Sequence, residues 1–317
     1  MAKQWQIKQF DPGLVPVLPE YPALILKLLA LRGITQTDAI KDFLDPDYAN
    51  LHDPFLFQDM QKAVERLDRA IRDGELITIF ADYDADAITA CSVAYLALQK
   101  LGARVDCYIP DRFAEGYGMN AEAVRKLGSS GTRVIVTVDC GTNSVSEAKT
   151  ARELGIDLII TDHHELTGDL PEALAVINPK NPADNYPFPD LTGVGVAYKL
   201  VQALFGREEG RGKREVSPGW EKWLLDLVAI GTVADLQSLT GENRILVSFG
   251  LKVLQKTRRA GLQALLELAG ARKPYDTFTL GFVLAPRVNA AGRLTHASAA
   301  FELLVASEPD RARKLAV

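Results

Sequence analysis

Three carboxylates fall within five residues of the segment ADYDADAITA, at Asp82, Asp84 and Asp86. Negative charge packed so closely needs a counter-charge, and a divalent cation supplies one compactly. A further aspartate, Asp139, ends the apolar run RVIVTVD and is followed by Cys140 and Gly141. Asp162, His163 and His164 end another such run, DLIITDHHE, so half of the chain's 4 histidines stand side by side. Asp235 ends LLDLVAIGTVAD. Taken singly, each has an ordinary reading: a solvated acidic turn, a helix N-cap at Asp139, a surface pair of histidines, an isolated aspartate. Taken together, Asp82, Asp84, Asp86, Asp139 and Asp235 with one imidazole form a hard, oxygen-rich set. That set suits a pair of divalent ions, Mn²⁺ first and Mg²⁺ second, over metals that prefer thiolates. Two such ions nearly match five negative charges, and a shared aspartate can bridge ions about 3.5–4 Å apart.

Two rival chemistries fit less well. A calcium loop needs Gly at its sixth position and Glu at its twelfth, where this chain has Ala87 and Val93. An aspartyl-phosphatase reading uses the first two aspartates as nucleophile and acid but leaves the later motifs unexplained. Neighbouring side chains on an extended backbone point to opposite faces. One of His163 and His164 is therefore expected to ligate a metal, and the other to meet substrate or a supporting carboxylate.

From residue 61 onward, apolar runs of four to eight residues alternate with amphipathic helical stretches: LITIFAD, RVDCYIPD, RVIVTVD and DLIITD between QKAVERLDRAIRDG, ITACSVAYLALQKLG, NAEAVRKLG and SVSEAKTARELG. This pattern predicts the α/β class, with a doubly wound, mostly parallel sheet flanked by helices, and a mainly helical segment of the same core after it. The aspartates of the first three motifs then stand just after strands, where ligands bind in open α/β sheets, and Asp235 follows an apolar helix and a Gly-containing turn. Before this region, residues 1–55 read as a helical N-terminal element in which TQTDAIKDFL begins with a polar N-cap. Residues 56–192 read as the α/β domain carrying the site, 193–296 as the helical part bearing Asp235, and 297–317 as the start of a connecting helix. GREEGRGKREVSPG is expected to be an exposed loop, and the glycines of LTGVGV to serve helix-start packing rather than a nucleotide-binding loop.

The ordered set DYDAD, VDCG, TDHH and GTVAD resembles the four motifs of the DHH phosphoesterase family. IPDRFAEGYGMN and LAPRVNAAGRL are similar to stretches of its RecJ branch, single-strand-specific 5′-to-3′ exonucleases, and the resemblance runs from about residue 50 to the end. It implies one metal on Asp82, Asp84 and Asp139, and a second on Asp86, Asp139, His163 and Asp235, with His164 facing the scissile phosphate. It also implies that Asp139, His163 and His164 carry hydrolysis of single-stranded DNA in repair and recombination. Arg112, Arg287 and Arg293 are candidate phosphate contacts, since a guanidinium grips two oxygens at once. Tyr117 and Asn289 are candidates for a base or sugar.

Two departures stand out: Ala81 and Ala87 occupy positions where family members usually carry glycine. The branch also continues into a second, smaller domain, so this chain, ending at Val317, is expected to be the catalytic core alone. Two other functions share the motifs: a phosphodiesterase acting on short oligonucleotides or cyclic dinucleotides, and a non-catalytic nucleic-acid-binding scaffold. Retention of every expected ligand argues for an enzyme.

Composition bounds the setting. With 36 basic and 41 acidic residues in 317, net charge −5, DNA binding must rest on a local patch. Three scattered cysteines argue against a disulfide framework, and nothing resembles a signal peptide or membrane span. The expected setting is cytoplasmic, without membrane contact, with single-stranded DNA as substrate. A single-strand-binding protein or helicase is the expected partner through the C-terminal region the chain lacks.

Overall fold

The computed structural model describes residues 6, 11, 13, 18–112, 114–116, 118–211, 216–294 and 296–317. They form two compact units, Met1–Leu51 and His52–Val317. In the first unit, helices α1 (Ala23–Ala30) and α2 (Thr37–Leu44) bury Leu26, Leu29 and Ile40 with Ile25, Ile34 and Phe43 around them. The cap expected at the start of TQTDAIKDFL falls on Gln36, whose side chain makes no capping bond.

The second unit opens with α3 (Met60–Asp73), which ends on Gly74 in the left-handed conformation that only glycine adopts without strain. A parallel sheet follows, built from β1 (Leu76–Ala81), β2 (Arg104–Tyr108), β3 (Thr132–Val138), β4 (Asp157–Thr161) and β5 (Ala175–Ile177). The connecting helices are α4 (Ala85–Lys100), α5 (Ala121–Ser129) and α6 (Val145–Glu153). β5 has three residues, too few to register as an apolar run, and pairs through Ile159 with Ala175 and Thr161 with Ile177. The order β2-β1-β3-β4-β5 means that the chain steps outward from β1 to β2 and then returns across β1 to β3. With right-handed crossovers this reversal sends α4 and α5 to opposite faces and opens a crevice beyond the carboxyl ends of β1 and β3. Phe80, Ile135, Leu158 and Ile160 form a core with α5 and α6. β1, β3 and β4 are buried on both faces, hence their unbroken apolar runs.

The remainder is helical: α7 (Gly193–Arg211), α8 (Leu225–Ala234), α9 (Gly241–Leu254), α10 (Ala260–Leu268), a π-helical stretch Thr279–Leu284 running into α11 (Ala285–Leu294), α12 (Ser298–Val305) and α13 (Pro309–Ala316). α4 packs against α7 and α8, and α8 is buried over Leu225–Thr232, so both are apolar nearly all round. α7 extends into the first residues of the expected exposed loop. Instead of one connecting helix at 297–317 there are two. Pro309 opens α13, and the residue before a proline is pushed out of the helical region, as Glu308 is here with ψ 121°. Cys91 of α4 and Cys107 of β2 come side by side, with Cα atoms 7.2 Å apart, because the β1–α4–β2 crossover lays the helix beside the strand. No helix among the described residues is long and apolar enough to cross a membrane.

Candidate metal centre

The motif aspartates at the crevice follow β1 and β3, apart from Asp235, which ends helix α8. Asp82 follows β1, and Asp84 caps α4 by accepting from the Ala87 N–H at 2.9 Å. Asp86, in the first turn of the helix, reaches across to α7 and accepts from the N–H groups of Gly193 at 2.7 Å and Val194 at 3.0 Å. Those are unpaired donors of a helix start, where the dipole favours an anion. Asp139, after β3, holds a left-handed backbone, φ 58°, with its N–H on the Thr161 carbonyl. Such a conformation is strained for a residue with a side chain and marks functional loops.

Two glycines make room for these carboxylates. A Cβ on Gly193 would lie 2.4 Å from Asp139 Oδ1, and one on Gly231 would lie 2.7 Å from Asp86 Oδ1. Gly193 of LTGVGV thus serves a helix start, and its buried backbone faces the site.

The segments after β1 and β3 and the end of α8 converge on His163, which itself follows β4. Its Nε2 lies 3.0 Å from Asp139 Oδ1, 3.9 Å from Asp235 Oδ2 and 4.0 Å from Asp86 Oδ2. Two overlapping ligand sets result, Asp139–His163–His164 and Asp86–His163–Asp235, each with its donor atoms within 4.8 Å of one another. Both oxygens of Asp82, Asp139 Oδ1 and Asp235 Oδ2 are buried with no hydrogen-bond partner. Burying ionised oxygens without partners is costly, and a cation is the partner that removes the cost. The donor set and its orphaned oxygens fit divalent ions.

Charge states reflect the crowding. Burial raises the Asp82 carboxyl to about 6, with Asp84 adding to the rise, against His164 and the nearby Tyr83 and Gly118 amides, which lie close without completing a hydrogen bond. Burial also lifts Asp86 and Asp139 well above the carboxylate range, with the neighbouring aspartates pushing the same way. Asp235 is raised by burial as well. Asp84 stands exposed at the mouth.

Asp162 behaves in the opposite way. Burial pushes it up, yet the His164 hydrogen bond and charge, together with Thr142, bring it down to about 2. Its Oδ1 meets His164 Nδ1 at 2.7 Å and its Oδ2 accepts from the Thr142 N–H at 2.8 Å. The hydrogen bond to Asp162 raises the pKa of His164 and leaves Nε2 as the nitrogen able to face a ligand. Asn178, after β5, donates to Thr142 Oγ1 and to the His164 carbonyl. Sequence reading assigned no role to Asp162 or Asn178. Asp162 was signalled only by its place beside the histidines, and Asn178 by nothing local.

Of the candidate substrate contacts, Arg112 is exposed and lies over the Tyr83 ring, 5.0 Å from its centroid. Asn289 turns toward the protein: its Oδ1 accepts from the Ala85 N–H at 2.7 Å and so ties α11 to the DYDAD loop. Arg293 is exposed one turn further along α11. Arg287 donates to the Val283 carbonyl and lines a groove with residues of α10 and α13. Tyr117 lies outside the described residues. Ala81 and Ala87 are fully buried and have ordinary negative φ, so alanine brings no left-handed strain at either position.

Fold and centre together define a doubly wound α/β protein with a carboxylate–histidine cluster at its topological switch point. Residues 76–232 match the DHH family, N-terminal domain, so the chain carries a DHH-family core. The single-stranded-DNA-specific exonuclease RecJ of Bacillus subtilis is 44% identical over 317 residues, covering 99% of this chain and 39% of that protein. RecJ of Escherichia coli is 39% identical over 324 residues, covering 100% and 55%. The crystal structure of RecJ from Thermus thermophilus in complex with Mn²⁺ superposes with a TM-score of 0.76 at 32% identity, covering 92% of this chain and 40% of that one. The chain is thus RecJ-like over nearly its whole length and spans about half or less of the relatives it matches.

Proposed function

We propose that this chain is the catalytic core of a metal-dependent, single-strand-specific DNA exonuclease that removes nucleotides in the 5′-to-3′ direction during repair and recombination. The observation that carries this is the set of buried, unpartnered oxygens on Asp82, Asp139 and Asp235 at the switch point. Likeness to RecJ supplies the substrate class. Asp82, Asp84 and Asp139 would hold one divalent ion, and Asp86, Asp139, His163 and Asp235 another, Mn²⁺ before Mg²⁺. Bound there, the ions would supply an activated water and neutralise charge developing on the phosphoryl oxygens.

The chain's own residues do the rest. Asp86 is held by the α7 amides and Asp139 by its constrained loop, so the carboxylates are placed before substrate arrives. His164, kept more basic by Asp162, donates Nε2–H to a phosphate oxygen. Arg112 and Arg293 meet backbone phosphates and Tyr117 a base. Asn289 acts through the metal loop, and Arg287 joins the substrate contacts only by swinging away from Val283.

In this reading residues 1–55 are an accessory helical element, 56–296 the core, and 297–317 the way into a second domain. A single-strand-binding protein or a helicase is the partner, engaged through regions the longer relatives have. The compartment is the cytoplasm, where the substrate arises.

The test is a time course on a 5′-labelled single-stranded oligonucleotide with Mn²⁺, beside an EDTA control and a matched duplex. Metal-dependent release of the labelled end nucleotide from the single strand alone is the expected result. Faster cleavage of dinucleotides than of long strands would instead make the chain a short-oligonucleotide phosphodiesterase.

A further inference from the structure

We propose that Tyr83, the residue between two metal-site aspartates, is a positioning residue whose ring seats the Arg112 guanidinium at the mouth of the carboxylate cluster. There Arg112 grips a backbone phosphate of the entering strand. The proposal rests on the function given above and adds to it a residue that does not itself ligate a metal.

The Tyr83 backbone is clamped from two sides. Asp82 continues from β1, and the Ala85 N–H is held by Asn289 at 2.7 Å. α11 presses directly on the loop: a Cβ on Gly292 would lie 3.0 Å from the Tyr83 carbonyl and 3.7 Å from its Cβ. A ring carried on such a fixed loop is a stable platform.

Arg112 arrives on an equally built turn. The Ala114 N–H donates to Asp111 Oδ1 at 2.9 Å and the Asp111 N–H to Glu115 Oε1 at 3.0 Å. Tyr108 O–H, from the end of β2, donates to Glu115 Oε2 at 2.7 Å. The guanidinium carbon then stands 5.0 Å from the Tyr83 centroid, inside the range of a cation–π contact.

Stacking matters because of which part of the guanidinium it uses. The ring occupies one flat face, while all five N–H donors lie in the plane and stay free for bidentate contact with a phosphate. Loose on the surface, an arginine gives up rotamer entropy when it is fixed. Seated on Tyr83, part of that ordering is complete before substrate binds. A cation at this place also offsets the repulsion that Asp82, Asp84 and Asp86 exert on an incoming polyanion. A lysine would keep the charge and lose both the stacking and the fork.

The experiment compares Tyr83→Phe and Tyr83→Leu in the wild-type and Arg112→Ala backgrounds, reading kcat and KM for Mn²⁺-dependent nucleotide release from a single-stranded oligonucleotide. Tyr83→Phe keeps the ring face and is expected within about twofold of wild type. Tyr83→Leu is expected to raise KM about 5- to 30-fold, equivalent to about 1–2 kcal/mol, with kcat within about twofold. In the Arg112→Ala background it should raise KM no further. The Mn²⁺ concentration at half-maximal thermal stabilisation should match wild type in every variant, which separates seating of Arg112 from damage to the metal ligands. An unchanged KM in Tyr83→Leu, an equal loss in Tyr83→Phe, or a full loss in the Arg112→Ala background overturns the proposal. If wild type releases no nucleotide, the exonuclease reading fails, and the same variants decide the seating by the Kd of a fluorescein-labelled oligonucleotide in Mn²⁺.

Discussion

Two clusters of buried charge in the His52–Val317 unit meet the same physical problem in opposite ways. Beside α9, Lys199 and Glu242 are 0% and 1% exposed and form an ion pair. Glu242 Oε1 also accepts from the His52 N–H, its Oε2 accepts from Tyr186 O–H, and Lys199 Nζ donates to the His52 carbonyl. Burial pulls the Lys199 pKa down while Glu242 pushes it back, and the named groups satisfy one another. At the crevice, Asp82, Asp86 and Asp139 are buried almost as deeply, the aspartates outnumber the nearby cations, and Asp82, Asp139 and the half-buried Asp235 keep oxygens without partners. A completed network holds chain segments together, whereas an incomplete one of a single sign is unstable by itself and becomes stable by taking up ions. The difference separates a structural cluster from a functional one without reference to any relative.

The sharpest break of this comparison comes from one change in each cluster. Asp139→Ala should bring Mn²⁺-dependent nucleotide release below detection. It should leave thermal stability in EDTA close to wild type, because it removes a buried carboxylate crowded by like charges while leaving alanine in the left-handed backbone that aspartate tolerates better. Glu242→Gln should do the reverse, costing about 3–5 kcal/mol in urea unfolding by leaving Lys199 buried without its counter-charge. Nucleotide release per folded molecule should be unchanged. Loss of stability in the first variant, or of turnover in the second, would dissolve the distinction.

Metal and pH sharpen it. Mn²⁺ at 100 times its Kd should add about 2.7 kcal/mol of stability to the wild type. Without metal, Asp82 titrates near 6 in the fold against 3.8 as its ordinary value. A raised folded pKa means the folded state holds the proton longer, so this group's contribution is fully present below 3.8 and is lost as pH rises through about 6. In EDTA, Asp82→Asn should therefore melt above wild type at pH 8, and the gap should close toward pH 5. A gap that does not change with pH would assign the effect to packing.

The smallest effect is expected at Asn289. Asn289→Ala should cost about 0.5–1.5 kcal/mol for the lost hydrogen bond to Ala85, and Asn289→Asp, which keeps the acceptor, should restore most of it. Equal losses in both variants would mean that the amide group has another partner.

Much of this was legible in the sequence because it is local. β1, β3 and β4 appear as unbroken apolar runs since both faces of a central parallel strand are buried, and the aspartates at their ends follow from that placement. The ligand types and their number follow from composition at those ends. β5 was not legible, being three residues long, and neither was the break between α12 and α13, where Pro309 interrupts an otherwise helical pattern. The sequence makes Asn289 a candidate base or sugar contact because it stands in the family-like stretch LAPRVNAAGRL, and only the approach of α11 to Ala85 shows what its side chain meets.

What the sequence by itself determined is the alternation of strands and helices, the identity of the clustered carboxylates and histidines, and the family to which their order belongs. Backbone periodicity and residue chemistry are written in neighbouring positions. Only the tertiary structure decided which side chains meet. Asp86 is held by amides more than a hundred residues away at the start of α7, Asp139 is given room by Gly193, His164 is turned by Asp162, and Arg112 rests on Tyr83. These depend on strand order, crossover hand and the close approach of separate helices, which no local spacing encodes.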